Sequence, residues 1–175
     1  MFRSLISVMI FLGSAAAAQG SDCTDTIRAQ DAPIDLVGEF TNMRFTDEHA
    51  YGYSVELWRS GKCLFGLFLA SAGLAGDTPT GLIEHLKFDS GTGAIAFVAR
   101  LTLGRLTAKG LDNVESRDVY RFTGKLDRNS LRGTLQHTNA LLPQHPNEST
   151  AITLMRSQTR ADALRAVATF REWER

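Results

Sequence analysis

The chain has 175 residues, 43% of them apolar, with 19 basic and 19 acidic side chains and no net formal charge. That length suits one domain with a real core. The charge balance excludes the basic surplus of a nucleic-acid binder and gives no electrostatic reason to adhere to an anionic membrane.

The first segment reads Met1-Phe2-Arg3, an apolar run from Leu5 to Gly13, then Ser14 and four alanines up to Ala18. One positive charge, a short apolar stretch and an Ala-x-Ala end are the features of a cleavable signal peptide, expected here over 1–18. The run is short of the roughly 20 apolar residues that span a bilayer. Asp22 stands ahead of Cys23, where a lipoprotein anchor needs a small residue. The expectation is therefore a periplasmic or secreted protein of bacterial type with no membrane anchor. Losing Arg3 with the leader leaves 18 basic against 19 acidic residues, a net charge of −1.

In an oxidising compartment two cysteines tend to bridge, so Cys23 and Cys63 are expected to form a disulfide. A closed loop of roughly 40 residues contributes on the order of 4 kcal/mol on the chain-entropy estimate. Neither cysteine has a Cys or His at metal-ligand spacing, so no metal and no cofactor is expected.

Residues 19–35 read as an N-terminal arm. From there to residue 157 short alternating segments are separated by Gly, Asp, Asn and Ser clusters, the signature of strands and turns. Eight strands are expected: Leu36–Arg44, His49–Arg59, Lys62–Ser71, Gly81–Asp89, Ala94–Gly104, Asp118–Asp127, Ser130–Asn139 and Thr150–Arg156. Tyr51, Tyr53, Val55 and Leu57 share one face of the second, as do Tyr120, Phe122 and Leu126 in the sixth. A one-faced apolar pattern means a half-buried antiparallel sheet. The third strand, with Leu64, Phe65, Leu67, Phe68, Leu69 and Ala70, has no polar face and needs an outer cover. In residues 158–175, Leu164, Val167, Phe170 and Trp173 recur at helical spacing, which predicts an amphipathic C-terminal helix docked on that strand.

The connections alternate in length. Ser60-Gly61, Ser90–Gly93 and Arg128-Asn129 read as tight turns, whereas Ala72–Thr80, Arg105–Arg117 and Ala140–Ser149 are long. In an up-and-down meander successive connections fall at opposite ends, so the tight turns gather at one end and the long loops, with Phe45–Glu48, at the other. Eight strands suffice to close a barrel. The expected fold is thus all-β, an eight-stranded antiparallel up-and-down barrel with a C-terminal α-helix; a β-sandwich is the alternative. The layout resembles that of small ligand-binding barrels of the lipocalin and avidin kind, and Gly38-Glu39-Phe40 resembles the lipocalin Gly-x-Trp opening with Phe in place of Trp. The likeness is architectural and carries no residue roles.

No phosphate loop, Gly-x-Ser-x-Gly elbow, His-Glu-x-x-His or Cys-x-x-Cys occurs. The candidates are positional, since binding residues concentrate in loops on a rigid scaffold. Asp47, Glu48 and His49, then Asp77 and Thr78, then Lys109, Asp112 and Glu115, then His137, His145 and Asn147 all fall near the long-loop end. Polar loops are also what solvent alone requires. Glu84, between Leu82 and Leu86, is expected on an interior face, where a carboxylate must be paired.

Three functions fit this reading. The first is an exported binding module that holds a small apolar ligand or an extracytoplasmic protein partner, inhibitor-like, through the long-loop end with Asp47, His49, Asp77, Thr78, His137 and His145. The second is a periplasmic hydrolase or isomerase using Glu84 and His137 as a proton-transfer pair within roughly 3 Å. The third is an eight-stranded outer-membrane barrel, which shares the pattern of tight turns at one end and long loops at the other.

Overall fold

A computed structural model describes residues 22–74, 79–101, 117–139, 142–144, 147–159 and 164–174. Nine strands appear in chain order: β1 (Asp35–Thr41), β2 (Arg44–Phe45), β3 (His49–Ser60), β4 (Cys63–Leu74), β5 (Thr80–Phe88), β6 (Ala94–Arg100), β7 (Asp118–Leu126), β8 (Ser130–Asn139) and β9 (Glu148–Ser157). Flanking them are the helices α1 (Asp22–Gln30) and α2 (Phe170–Glu174).

Each strand from β3 to β9 pairs antiparallel with the next, and β1 pairs with both β3 and β9, so eight strands close into a barrel. β2 is a ninth, short strand that extends β1 along β3. Closure removes the β-sandwich alternative. The expected first strand is β1 and β2 together, interrupted at Asn42 and Met43; β6 covers the expected fifth strand as far as Arg100, and residues 102–104 of that expectation lie outside the described residues.

The tight turns form where the sequence places them, each for a local reason. Gly61 takes φ +57° between Ser60 and Cys63, which pair with each other. Asp89 Oδ1 accepts from the Gly91 and Thr92 amides, and Asp127 Oδ1 from those of Asn129 and Ser130. Such Asx turns substitute a side-chain oxygen for backbone pairing. These three turns share one end of the barrel. The strand ends joined by the longer connections share the other.

One contiguous apolar cluster fills the interior, with Phe40, Val55, Leu57, Phe68, Ile95, Phe97, Tyr120, Phe122, Leu131, Leu135 and Leu154 among its members. Rings meet across the lumen: Phe68 of β4 lies 6.2 Å from Phe97 of β6 and 5.0 Å from Tyr120 of β7, centroid to centroid. At the tight-turn end Arg156 lies over the Phe40 ring at 4.9 Å and donates to the Val37 carbonyl at 2.8 Å. Gly38 leaves room beside it, where a Cβ would press on the end of the Arg156 side chain and displace the guanidinium. The Gly38-Glu39-Phe40 stretch thus forms part of the barrel's floor.

A second cluster lies outside the barrel: Ile27, Ile34, Trp58, Phe65, Leu164 and Phe170. Phe65 packs against Phe170 at 5.1 Å and Trp173 at 4.9 Å, so the C-terminal segment does cover the all-apolar β4. Glu56, also on the outer face and buried, accepts the indole N–H of Trp58 at 2.6 Å and of Trp173 at 3.0 Å. The single helix expected over 158–175 is corrected. Residues 166–169 are not helical; Thr169 bridges to Pro33, and a new helix starts at Phe170. Thr169 and Glu172 form a capping box, in which Glu172 Oε2 accepts from the Ala168 and Thr169 amides and Thr169 Oγ1 accepts from the Glu172 amide. The arm expected over 19–35 carries α1, and Arg28 joins it to Glu174 of α2 at 2.8 Å.

Cys23 and Cys63 are bonded, with their Cα atoms 5.9 Å apart, so α1 is fixed covalently to the start of β4. Replacing both cysteines by serine should lower unfolding free energy by on the order of 4 kcal/mol in chemical denaturation. Phe170, the first residue of α2, is fully buried in the cluster with Ile27 of α1 and Phe65 of β4. Phe170→Ala should cost about 3–5 kcal/mol in the same measurement, the range for emptying a packed aromatic site; a loss under about 1 kcal/mol, the level of a surface change, would contradict the outer packing.

Candidate functional site

At the long-connection end the interior faces of β3, β7, β8 and β9 stop being apolar. Tyr120 and His137 are direct cross-strand neighbours, and Asp118 faces Asn139 one inward position further up. The register therefore stacks the His137 imidazole on the Tyr120 ring, 4.5 Å apart and 11° from parallel. His137 Nε2 lies 2.8 Å from Asp118 Oδ1, and the same oxygen accepts from Asn139 Nδ2 at 2.9 Å. Glu148, opposite His137 on β9, brings Oε2 to 3.9 Å from Nδ1.

The carboxylates set the charge of this cluster. The hydrogen bond that the His137 ring donates to Asp118 holds the His137 pKa above its ordinary value; burial opposes it, and the Asp118 and Glu148 charges reinforce it. A protonated ring donates at Nε2 to Asp118 and presents Nδ1 to Glu148. Burial first, then the Asp118, Tyr53 and Glu148 charges, push the Tyr120 hydroxyl well above the usual phenol range. Tyr53 is raised by burial and by Glu148. Both phenols are therefore protonated at any physiological pH and can donate a hydrogen bond.

An aromatic wall continues the cluster to the rim. Tyr53 meets Tyr120 edge-on at 6.0 Å and stacks on Phe68 at 5.9 Å. Further up β3, His49 stacks on Tyr51 at 5.9 Å, and the Tyr51 side chain is exposed. Gly52, between the two tyrosines, has φ +117°, and any Cβ there would collide with Asn42, whose Oδ1 accepts the Tyr53 amide at 2.8 Å. The mouth thus offers rings on one wall and an acid–imidazole–amide group on the opposite one.

Of the residues expected to form a site, His49 and His137 belong to this wall and this group. Asp47 is exposed in the turn between β2 and β3, and no described hydrogen bond or ion pair ties it to the cluster. Asp77, Thr78 and His145 lie outside the described residues, as do Lys109, Asp112 and Glu115.

Glu84 is corrected. It sits on the outer surface, half exposed, paired with Arg100 of the adjacent strand at 3.2 Å. Leu82 is likewise outside at 48% exposure, while Ile83 faces the core. The register slips between Glu84 and Lys87, with His85 at φ +52°. That bulge returns Leu86 and Phe88 to the core, so the apolar residues on either side of it have opposite parity. Glu84 and His137 are on opposite faces of the barrel wall and cannot exchange a proton. Asp118, the partner that His137 does have, was not among the expected site residues. Its signal was in the register: two positions before Tyr120, it shares the inward face with it.

No protein-family model, curated protein or solved structure matches this chain. The roles of these residues rest on geometry alone.

Because the folded His137 pKa is raised, its pairing with Asp118 contributes stability fully below the unfolded value and loses it as pH rises through the folded one. An NMR titration should place the His137 midpoint above 6.5 in the native protein and lower it in Asp118→Asn. A midpoint unmoved by that substitution would contradict the pairing.

Proposed function

We infer that this chain is an exported, non-catalytic binding module that engages a partner through the long-connection end of its barrel. One observation carries the reading. Rings from several strands fill the lumen and leave the mouth as the place where polar and aromatic groups converge. A filled barrel does not engulf an apolar ligand as a hollow one does. A protein partner seated on the rim, in the manner of an inhibitor, is the version this favours. Rim-exposed Tyr51 and the half-buried His49, Tyr53 and His137 supply flat contact surface with polar edges, the kind of side chain that dominates binding energy at interfaces.

Export is supported by the leader-like residues 1–18 and by the Cys23–Cys63 disulfide. No helix among the described residues is long and apolar enough to cross a membrane. A membrane barrel would turn apolar side chains outward. Here Arg121, Thr123, Lys125, Arg132 and Gln136 are exposed on the outside, while Phe122, Leu131 and Leu135 are buried within. This favours the binding module over the outer-membrane reading. Glu84 lies on the outer surface, paired with Arg100, which argues against the Glu84–His137 pair that the enzyme reading needs.

Affinity capture from native envelope extract tests the assignment, with the protein immobilised as bait. Tyr51→Ala with His137→Ala should reduce the captured partner by about tenfold or more, the cost expected at a binding hot spot. Lys62→Ala with Arg132→Ala, at the tight-turn end, should leave it unchanged. Capture lost in the second variant and retained in the first would overturn the reading.

A further inference from the structure

The barrel closes unevenly between β1 and β9. Only Glu39, Phe40 and Thr41 pair with β9, opposite Ser157, Arg156 and Met155. Beyond Thr41 the chain leaves β9 and stays with β3. The Met43 amide, next in line to bond β9, donates instead to Thr41 Oγ1 at 3.0 Å, and β2 pairs with Tyr51 and Ala50. Among the described residues the upper part of β9 is thus a sheet edge.

Its hydrogen-bonding direction follows from the β8 side. The Arg156 amide donates to the Asn129 carbonyl at 2.8 Å, so the even-numbered residues of β9 turn their backbone groups toward β8. Ser149, Ala151 and Thr153 turn theirs the other way, where no described strand pairs with them. All three are exposed. Proteins commonly guard such an edge with proline, lysine or a bulge. The run Ser149-Thr150-Ala151-Ile152-Thr153 has none of these.

Two further features say what covers it. Of the four large hydrophobic side chains exposed among the described residues, Phe45, Tyr51 and Met155 lie on β2, β3 and β9, which border the split. The edge is also self-complementary about Ala151. In an antiparallel pairing of two copies, Ser149 of one faces Thr153 of the other, Thr150 faces Ile152, and the two Ala151 residues meet on the axis. Glu148 falls opposite Leu154, so no like charges meet. Cross-strand hydroxyl pairs of this kind favour pairing, and a two-fold interface requires such self-matching.

We propose that the chain forms a two-fold dimer by antiparallel edge pairing of β9 with β9 of a second copy over Ser149–Thr153. The ladder ends where Thr41 takes Met155, and Phe45 and Met155 flank it. The proposal is independent of the rim assignment; a monomer would leave that assignment in place.

Light scattering with size-exclusion chromatography and sedimentation equilibrium on the purified protein decide it. Native protein should show a dimer that dissociates on dilution. Ala151→Lys places two like charges on the axis and should weaken the dimer by at least on the order of tenfold; Ala151→Glu should do the same. Mixing the two variants in equal amounts should restore a dimer, which separates an interface effect from misfolding. Native protein that is monomeric at millimolar concentration, a dimer unaffected by either substitution, or a mixture that stays monomeric would overturn the proposal.

Discussion

The structure depends on the ring contacts across the lumen. Phe68 holds the centre, touching Tyr53 on the strand beside it and Phe97 and Tyr120 on strands of the opposite wall. Eight antiparallel strands fix the wall, but side chains of this size make the interior a core rather than a container. The polar groups on the inward faces are displaced to the end where the strands run out. At the tight-turn end Arg156 packs on the Phe40 ring. At the mouth inward-facing side chains meet solvent, and there Asp118, His137, Asn139 and Glu148 collect.

Much of this was legible in the sequence because period-two alternation and turn residues report strands directly. All eight barrel strands and the sorting of connections by length follow from those signals, and the disulfide follows from two cysteines behind a leader-like segment. Chain direction alone put His137 at the mouth. The failures have identifiable causes. Parity places Glu84 in the interior, but the bulge at His85 inverts parity within a single strand. Leu82 and Leu86 look equivalent in the sequence but lie on opposite sides of the wall. The C-terminal periodicity was real, since Leu164, Val167, Phe170 and Trp173 all pack on one cluster. It is delivered by a broken segment, and Thr169-Phe170-Arg171-Glu172 carries the capping signature that marks the restart. α1 carries no helical periodicity in the sequence, because only Ile27 in it is apolar and buried; the disulfide and the packing of Ile27 hold it in place.

The outer layer and the mouth are at opposite ends of a common frame. Glu56 gathers two indoles on the outside of β3, while Val55 and Leu57, one residue to either side, join the inner core. That strand carries Tyr51 and Tyr53 at its upper end. The disulfide-bonded layer thus stiffens the strand that presents the aromatic wall, which favours a preformed surface over one assembled on contact. The acid–imidazole group on the opposite wall adds a charge that varies with pH to an otherwise fixed shape.

The claim that recognition occurs at the long-connection rim is tested most directly by hydrogen–deuterium exchange on the protein with and without its captured partner. Protection should appear in the segments holding Arg44–Tyr53, Asp118–Tyr120 and His137–Asn139. Protection confined instead to the turns at Ser60–Cys63, Asp89–Gly93 and Asp127–Ser130 would place recognition at the opposite pole and contradict the account.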